Sequence, residues 1–448
     1  MMKQKKLLSV VLALLLFFSL CTQSVFAAQE MDIQNLPSKG LYVKEMVSDT
    51  LIYENNAAQR YYPASITKLV TALTALDYLK LDEKITVGSE VYDVIAGSSL
   101  AHLVPGETLT FKDLLHGMML PSGNDAANAI AAAVAKKTNP QLKDFAAQKA
   151  YFCSLMNNKA KSLGAKDSNF VNPSGLHDTN HYTTPYDMYL VGAACLNSPQ
   201  IMKVVSQDTY TVANHTWYST NLLLQRTYDN LKWIKKEGPN PFYSPYAKGL
   251  KTGHTIEAGR TIVAYYERDG MKVLSVVLQC SNDELFADAN ATLNYTTARY
   301  EGVSFGKEGS VLAQLPIENT KQPNKILEVV PEQDATVVVN KGDGAGITHH
   351  VAYSDDIFYQ LLGKRFIKQD ITKGDVVGKI TLYNASGAEI KSVDLLALDD
   401  IVHDKYLFLR IALIVAILVL VLLTLLRHGR KRIRRKNHER KNIQRSRI

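Results

Sequence analysis

Three short groups of residues have the types and spacing needed for nucleophilic catalysis at a carbonyl. In the first group, Ser65 precedes Lys68 by three positions at the start of an apolar-periodic stretch. Residues three apart on a helix share a face, so the Lys68 ammonium lies within reach of the Ser65 hydroxyl. A desolvated lysine near other cations can take the serine proton, which makes Ser65 the candidate nucleophile and Lys68 the candidate base. Alone, the pair is more typical of a helix cap with a solvated lysine.

The second and third groups supply the polar side chains that such a site needs. Ser122 and Asn124 lie on a loop before a helical stretch. A hydroxyl there can pass a proton to a leaving amine, and an amide can hold a peptide backbone. Lys251, Thr252 and Gly253 lead into a strand, where a cation and a hydroxyl suit an anionic substrate end and the glycine permits close backbone approach. Alone, these groups are more typical of helix capping and of an ordinary strand start.

Alternating patterns over residues 29–300 predict the elements that bring the three groups together. Strand hairpins are expected at residues 41–53 and 261–278. Between them, apolar periodicity indicates helices at residues 65–79, 111–120, 126–134 and 145–163. Strands at both ends of a mostly helical insert predict one α+β domain, with an antiparallel sheet and a helical cluster.

The composition changes after residue 300. Residues 301–324 are rich in Gly, Pro, Gln and Asn, which predicts a linker. Short alternating runs follow at 326–330, 335–340, 349–353, 376–383 and 388–395, and residues 384–387 have hairpin-turn chemistry. These runs predict a small all-β, β-sandwich-like domain over residues 325–400.

Both ends of the chain carry apolar segments. Three lysines, an apolar stretch at 7–20 and Val25-Phe26-Ala27 predict a signal peptide over residues 1–27, with a retained N-terminal anchor as the alternative. Residues 406–426 hold one charge, Arg410, and are long enough to span a bilayer, with a buried core helix as the alternative. The tail 427–448 has eleven Lys/Arg and one acidic residue, which predicts a cytoplasmic tail and an extracytoplasmic body in a single-pass cell-membrane protein.

Charge and cysteine usage argue against two classes of function. The net charge of +8 comes from the terminal segments, so no basic face is predicted on the body and no nucleic acid is expected as a partner. Cys153, Cys195 and Cys280 have no metal-ligand spacing and are predicted to be buried free thiols.

In their order along the chain, the three groups resemble the S-x-x-K, S-x-N and K-T-G motifs of the active-site serine penicillin-recognising enzymes. The chain is similar throughout to low-molecular-mass penicillin-binding proteins of the serine-type D-alanyl-D-alanine carboxypeptidase family. Residues 62–73, 121–127 and 249–255 support the resemblance, as does Asn172-Pro173-Ser174-Gly175-Leu176. The resemblance implies a penicillin-binding/β-lactamase-like transpeptidase domain over residues 29–300.

The resemblance also implies a mechanism. Ser65 attacks the carbonyl between the two terminal D-alanines of a peptidoglycan stem peptide, and the amides of Ser65 and His254 form an oxyanion hole. The implied catalytic residues are Ser65, Lys68, Ser122, Asn124 and Lys251, and the implied substrate-binding residues are Thr252, Gly253, His254 and Thr255. Neither a metal nor an organic cofactor is implied, and β-lactams are expected as covalent inhibitors.

The sequence departs from the family pattern in two places. Residues 282–286 lack the arginine with which many relatives hold the terminal carboxylate, and Arg260 is the candidate substitute. The segment 406–426 predicts a full membrane span instead of an amphipathic helix lying on the membrane. His181 follows the Asn172–Leu176 stretch and is expected to be structural, with a functional role as the alternative.

Three other functions are weighed against the carboxypeptidase. A class A β-lactamase needs an E-x-x-N element well upstream of K-T-G, and the match at Glu237 lies only 14 residues before Lys251. A D,D-endopeptidase uses the same site on a different substrate. A catalytically silent cell-wall scaffold is expected to have a broken motif, whereas every motif residue is present here.

Overall fold

A computed structural model describes residues 33–231, 233–280 and 284–445 of the 448-residue chain, with side chains to residue 433. The described residues divide into two compact units. The first runs to Val303 and includes Val338–Gly344, and the second comprises Ser304–Val337 and the chain from Ala345 onward. The predicted signal peptide, 1–27, lies outside the described residues.

The first part of the chain forms a central antiparallel sheet. The strands in this part of the chain are β1 (Gly40–Glu45), β2 (Thr50–Asn55), β3 (Lys84–Thr86), β4 (Thr108–Thr110), β5 (Thr209–Val212), β6 (His215–Tyr218), β7 (Ala247–Thr255), β8 (Gly259–Arg268), β9 (Met271–Cys280) and β10 (Tyr300–Ser304). The central sheet has the order β2-β1-β9-β8-β7, and β3–β4 and β5–β6 form separate pairs. Strand β7 is therefore an edge strand with one side free of sheet partners.

Helices cover both faces of this sheet. They are α1 (Lys68–Leu76), α2 (Phe111–Met119), α3 (Asn124–Thr138), α4 (Phe145–Ser162), α5 (Pro185–Leu196), α6 (Pro199–Val205) and α7 (Leu285–Arg299). Tyr42 packs with the cluster formed by α1 to α6, whereas its neighbours Leu41 and Val43 pack with α7. Successive side chains of a strand point to opposite faces, so the two apolar clusters lie on the two sides of the sheet.

The predicted α+β fold class is confirmed, and the elements differ from the predicted ones in detail. Both hairpins, β1–β2 and β8–β9, are present. Ser65 does not begin an α-helix: it lies in a 3₁₀ turn, Ala64–Thr67, and α1 starts at Lys68 and ends at Leu76. Helix α3 extends beyond its predicted bounds at both ends, and α5, α6 and α7 were not predicted.

The second unit is built on strands. These are β11 (Ala313–Pro316), β12 (Ile326–Pro331), β13 (Thr336–Asn340), β14 (Thr348–Tyr353), β15 (Phe358–Leu361), β16 (Lys364–Ile367), β17 (Val376–Tyr383) and β18 (Glu389–Ala397). Strand β13 begins in the second unit, and its residues from Val338 onward belong to the first. A five-stranded sheet has the order β11-β12-β18-β17-β14, and β15–β16 is a separate hairpin. Strand β11 falls within the expected linker 301–324 and pairs with β12, so this part of the stretch belongs to a sheet instead.

A long helix, α8 (Leu407–Arg445), follows the last strand. Its segment Leu407–Ile433 is long and apolar enough to cross a membrane, and it is exposed along its length. Its apolar surface is exposed, which argues against the alternative interpretation of this segment as a buried core helix.

The three described cysteines, Cys153, Cys195 and Cys280, are buried thiols outside any disulfide, as predicted. Burial raises the pKa of the Cys153 thiol to about 12, and it raises the Cys195 pKa as well. Because the thiolate is the reactive form, we expect these two thiols to react slowly in the folded protein.

Candidate active site

Ser65 lies where three parts of the chain meet. Gly175 has φ +85°, and a Cβ there would overlap the backbone oxygen of Ala64 and lie 2.9 Å from the Ser65 nitrogen. A Cβ at Gly253 on β7 would lie 2.7 Å from the same nitrogen. Thr261 of β8 donates a hydrogen bond from Oγ1 to the Pro63 backbone oxygen at 2.9 Å. The two glycines allow a loop and an edge strand to touch the turn that carries Ser65.

Lys68 is fully buried and holds three oxygen atoms at hydrogen-bond distance. Its Nζ lies 2.8 Å from Ser65 Oγ, 2.8 Å from Asn124 Oδ1 and 2.7 Å from the Ser174 backbone oxygen. The amide and backbone oxygens only accept hydrogen bonds. A neutral amine has two N–H groups, which these two oxygens satisfy, and its lone pair then faces the Ser65 hydroxyl. The arrangement suits a base that takes a proton from Ser65.

The electrostatic surroundings favour the neutral form of Lys68. Burial and the neighbouring charge of Lys251 hold the Lys68 pKa well below its ordinary value, and the negative charge of Asp125 opposes this shift. Burial alone lowers the pKa of Lys251 to about 7. Two buried lysines thus stand near each other, and both lose their protons more readily than a surface lysine.

The loop carrying Ser122 and Asn124 is tightly fixed between α2 and α3. Ser122 is buried and adopts φ +64°. The Gly123 N–H donates to the Gly117 oxygen at 3.1 Å, and the Asn124 N–H donates to the Ser99 oxygen at 2.8 Å. Asn124 begins α3, and this position brings its Oδ1 to Lys68. The first and second motif groups therefore meet.

The third motif group lies on the edge strand β7. Lys251 Nζ donates to the Thr252 backbone oxygen at 2.8 Å, and Thr252 Oγ1 lies 2.8 Å from Thr220 Oγ1. His254 is exposed, and Thr255 Oγ1 accepts a hydrogen bond from the Ala258 N–H at 3.0 Å in the turn to β8. Lys251 and Gly253 approach the first group, whereas Thr255 shapes the turn.

The turn at Asn172–Leu176, which supported the family resemblance in the sequence, is part of the site through a backbone oxygen. Asn172 Oδ1 accepts hydrogen bonds from the Gly175 N–H at 2.8 Å and the Leu176 N–H at 3.1 Å. Thr71 Oγ1 of α1 donates to the Pro173 oxygen at 2.7 Å. The turn is thereby fixed against α1, with the Ser174 oxygen on Lys68. A backbone carbonyl belongs to every residue type, so this contact could not be read from the sequence.

His181 makes the contacts of a structural residue. Its Nδ1 accepts a hydrogen bond from the Val171 N–H at 3.1 Å, so Nε2 carries the proton and donates to Thr67 Oγ1 at 2.8 Å. Burial lowers the His181 pKa to about 3, which keeps the ring neutral. His181 therefore supports the Ser65 turn through Thr67. Arg260, the candidate carboxylate ligand, is half-buried on β8 opposite His254, and Asn282 and Asp283 lie outside the described residues.

Comparisons with known proteins agree with this geometry. A profile of the family described as D-alanyl-D-alanine carboxypeptidase matches residues 26–282, and the profile described as Penicillin-binding protein 5, C-terminal domain, matches residues 300–403. The D-alanyl-D-alanine carboxypeptidase DacF of Bacillus subtilis (strain 168) is 27% identical over 349 residues, which cover 77% of this chain and 81% of DacF. DacA of Escherichia coli (strain K12) is 25% identical over 406 residues, covering 82% and 93%.

Two solved structures place the fold. The DD-transpeptidase of Streptomyces K15 matches with a TM-score of 0.51 and 28% identity over 58% of this chain and 97% of that chain. Penicillin-binding protein 5 from Haemophilus influenzae matches with a TM-score of 0.54 and 22% identity, over 82% and 98%, and this likeness concerns the fold. With a family profile spanning more than half of its length, this chain belongs to the D-alanyl-D-alanine carboxypeptidase family, serine peptidases among the low-molecular-mass penicillin-binding proteins.

Proposed function

We propose that this protein removes the terminal D-alanine from peptidoglycan stem pentapeptides through an acyl-enzyme on Ser65. The observation that supports this most directly is the set of contacts at Lys68. Two oxygens that only accept hydrogen bonds occupy its N–H groups, and Ser65 Oγ stands at 2.8 Å on the remaining side. A base and nucleophile at that distance are the requirement for acyl transfer by serine.

Acylation begins with proton transfer from Ser65 to Lys68. Ser65 Oγ forms a bond to the carbonyl carbon between the two terminal D-alanines, and its proton passes to Lys68 Nζ. The carbonyl oxygen becomes an oxyanion, which the N–H groups of Ser65 and His254 stabilise. The close approach of Gly253 to the Ser65 nitrogen supports this assignment, since it brings the two donors to one place.

The tetrahedral intermediate then releases D-alanine. The C–N bond breaks, and Ser122, with Lys251, passes a proton to the departing nitrogen, while the proton held on Lys68 restores the Ser122 hydroxyl. Lys251 and Thr252 face the carboxylate of the departing D-alanine, and Asn124 holds the peptide backbone. Water next attacks the ester, and Lys68 takes its proton. The Ser65–carbon bond breaks, Ser65 recovers a proton, and the shortened peptide leaves.

A β-lactam enters the same chemistry through its strained amide. Ser65 opens the ring and forms a penicilloyl ester, and the sequence has no E-x-x-N element well upstream of K-T-G of the kind that class A β-lactamases need for rapid turnover of penicillin. We therefore expect penicillin to label Ser65 and to leave slowly.

One experiment tests the activity and its alternatives together. The full chain in detergent is incubated with fluorescent penicillin and, separately, with a peptide ending in D-Ala-D-Ala, beside Ser65→Ala. We expect labelling and D-alanine release in the native protein and neither in the variant. Rapid penicillin turnover without D-alanine release is the β-lactamase outcome, and absence of labelling is the scaffold outcome. Cleavage of cross-linked dimeric peptides in preference to pentapeptides is the endopeptidase outcome.

We further propose that the chain is secreted through a signal peptide at 1–27 and anchored by α8 in the cell membrane. The body then lies outside and the basic tail inside, because cations after a span favour the cytoplasmic side. The length and exposed apolar surface of Leu407–Ile433 support this placement. Protease added to intact spheroplasts is expected to digest the body and spare a tag at the C-terminus, and digestion of the tag contradicts the orientation.

A further inference from the structure

Asp125 is a buried carboxylate next to the active site, and none of the steps above uses it. It lies in the first turn of α3, directly after Asn124, and only 2% of its surface is exposed. Its Oδ1 accepts hydrogen bonds from the N–H groups of Ala101 at 2.8 Å and Ala126 at 2.9 Å, and its Oδ2 accepts from the Leu103 N–H at 3.1 Å. A buried carboxylate that accepts three backbone donors fixes the backbone to which they belong.

The backbone fixed in this way is the 99–103 segment, Ser99 to Leu103. The segment also accepts a hydrogen bond from the Asn124 N–H on the Ser99 oxygen at 2.8 Å. From the other side, Trp217 of β6 donates from Nε1 to the Ala101 oxygen at 2.8 Å. The fit at Gly123 is close, since a Cβ there would lie 2.8 Å from the Ala101 Cβ. The 99–103 segment therefore packs against the loop that carries Asn124 and supports the position of Asn124 beside Lys68.

Asp125 also acts on Lys68 through its charge. Lys251 of β7 and His181 are the other titratable groups that interact with Lys68, and the Lys251 charge favours loss of the Lys68 proton. The negative charge of Asp125 favours the protonated form instead and so moderates the drop in the Lys68 pKa. The same carboxylate thus has a mechanical and an electrostatic link to the base.

We propose that Asp125 is a positioning residue of this active site, which holds the 99–103 segment behind Asn124, whose Oδ1 contacts Lys68. Its charge is a second, supporting influence on Lys68. This inference rests on the proposed function, because it assumes that Lys68 takes the Ser65 proton. It assigns a role to a carboxylate that need not touch the substrate.

The test is the second-order rate constant for acylation of Ser65 by fluorescent penicillin, measured with the full chain in detergent from acidic to alkaline pH. Asp125→Asn removes the charge and one pair of acceptor sites. Asp125→Glu keeps the charge and displaces the oxygens. Asp187→Asn is the matched control, since Asp187 is also 2% exposed, lies in the first turn of α5, and accepts from the Asp167 N–H at 2.8 Å and Ser168 Oγ at 2.7 Å.

The three variants are expected to separate the two roles. In Asp125→Asn the acidic limb of the rate profile moves toward lower pH by about 0.5 to 1 unit, because the charge that favours protonated Lys68 is gone. Its plateau rate falls about tenfold, because the 99–103 segment no longer holds Asn124 in place. In Asp125→Glu the plateau rate falls because the carboxylate oxygens are displaced. The acidic limb of the rate profile keeps its pH because the negative charge is retained. In Asp187→Asn the melting temperature falls, whereas the acidic limb and the plateau rate of acylation remain those of the native protein.

A profile of Asp125→Asn that coincides with that of Asp187→Asn overturns the proposal. If Asp125→Asn does not fold, Asp125→Glu decides, and a native plateau rate in that variant overturns the positioning role. Failure of the proposed function has a different signature, since the native protein itself then shows neither labelling nor D-alanine release.

Discussion

At the scale of single residues, the site contains two buried lysines, and burial lowers the pKa of both. The proposed mechanism uses one lysine in its neutral form and the other in its charged form. In the proposed mechanism Lys68 acts as a neutral base, and burial and the charge of Lys251 hold its pKa well below the ordinary value. Lys251 pairs with a carboxylate only while it is charged, and its pKa is about 7. The proposed enzyme is therefore active in the range of pH where the first lysine is neutral and the second is still charged.

The pH profile of kcat/KM for D-alanine release follows from these two groups. The rate is expected to rise as pH increases through the lowered Lys68 pKa, because the base must lose its proton. It is expected to fall above about pH 7, as Lys251 in the free enzyme loses the charge that binds the carboxylate. Lys251→Arg keeps its charge at all these pH values and is expected to move the falling limb upward. An unmoved limb in that variant contradicts the assignment to Lys251.

Gly253→Ala tests the approach of β7 to the nucleophile. A Cβ there would lie 2.5 Å from Thr261 Oγ1 and 2.7 Å from the Ser65 nitrogen, so the strand must shift away from Ser65. The penicillin acylation rate is expected to fall by about 100-fold, as a 1 Å displacement commonly does.

Gly97→Ala is the control for that variant. Gly97 has φ +82° and open space around its Cβ position, so the substitution costs stability through backbone strain alone. Its acylation rate is expected to stay native, and equal losses in the two variants would show that strain, not the approach to Ser65, explains the effect.

At the scale of elements, the turn Asn172–Leu176 shows how a loop without catalytic side chains serves the site. The Asn172 carboxamide binds the backbone of its own turn, including the Gly175 N–H at 2.8 Å. Thr71 attaches the turn to α1, and the Ser174 oxygen faces Lys68 at 2.7 Å. The turn therefore fixes the position of one of the three oxygen atoms around Lys68 Nζ.

Asn172→Ala is expected to release this turn. Without the Oδ1 acceptor, the Ser174 oxygen loses its fixed place, and the acylation rate is expected to fall about tenfold or more. Asn169→Ala is the matched control, because Asn169 Nδ2 donates to the Asn180 oxygen at an exposed position of the same region. Stopped-flow acylation with both variants checks the difference, and equal rates contradict the role of the turn.

The sequence predicted several elements whose buried faces are mainly apolar, although it missed α6, a seven-residue helix whose buried residues Ile201, Val204 and Val205 are all apolar. The hairpins β1–β2 and β8–β9 and the helix α4 agree closely with the predicted ranges. Helix α7 was missed because part of its buried face is polar: Thr292 and Thr296 are buried and bond to backbone oxygens of their own helix. The 3₁₀ turn at Ser65 could not be predicted either, since it depends on the close approach of Gly175 and Gly253 from distant parts of the chain.

Within the site, the sequence motifs identified the side chains that could do chemistry. They did not identify the contacts made by main-chain atoms. The structure brings Ser65 and Lys68 together, as their spacing predicted, and adds Asn124, as the family resemblance implied. The Ser174 oxygen and the Asp125 contacts to the 99–103 segment involve main-chain groups. Main-chain groups have no residue-type pattern, so only the folded chain reveals them.

At the scale of the whole molecule, the motif residues belong to the first unit and the apolar helix α8 to the second. The first unit also holds the three described thiols, which are sealed in its core. Its folded state can therefore be followed by thiol chemistry at sites that take no part in catalysis.

Cys153, Cys195 and Cys280 are expected to resist iodoacetamide in the native chain and to react together in denaturant. Burial raises the thiol pKa values of Cys153 and Cys195, so little thiolate is available before unfolding. Peptide mapping by mass spectrometry identifies which cysteine reacts. Labelling of Cys195 in native protein, without loss of penicillin labelling, contradicts the structure.

The three oxygens around Lys68 come from residues 3, 56 and 106 positions away along the chain. An unfolded or half-folded polypeptide cannot assemble them, so its serine stays as unreactive as free serine. Under the proposed chemistry, a fluorescent penicillin added to a culture then labels only the folded molecules. An antibody against the same protein measures the total amount of the protein, folded and unfolded. The ratio of the two signals measures, inside the cell envelope, how efficiently this protein completes its folding.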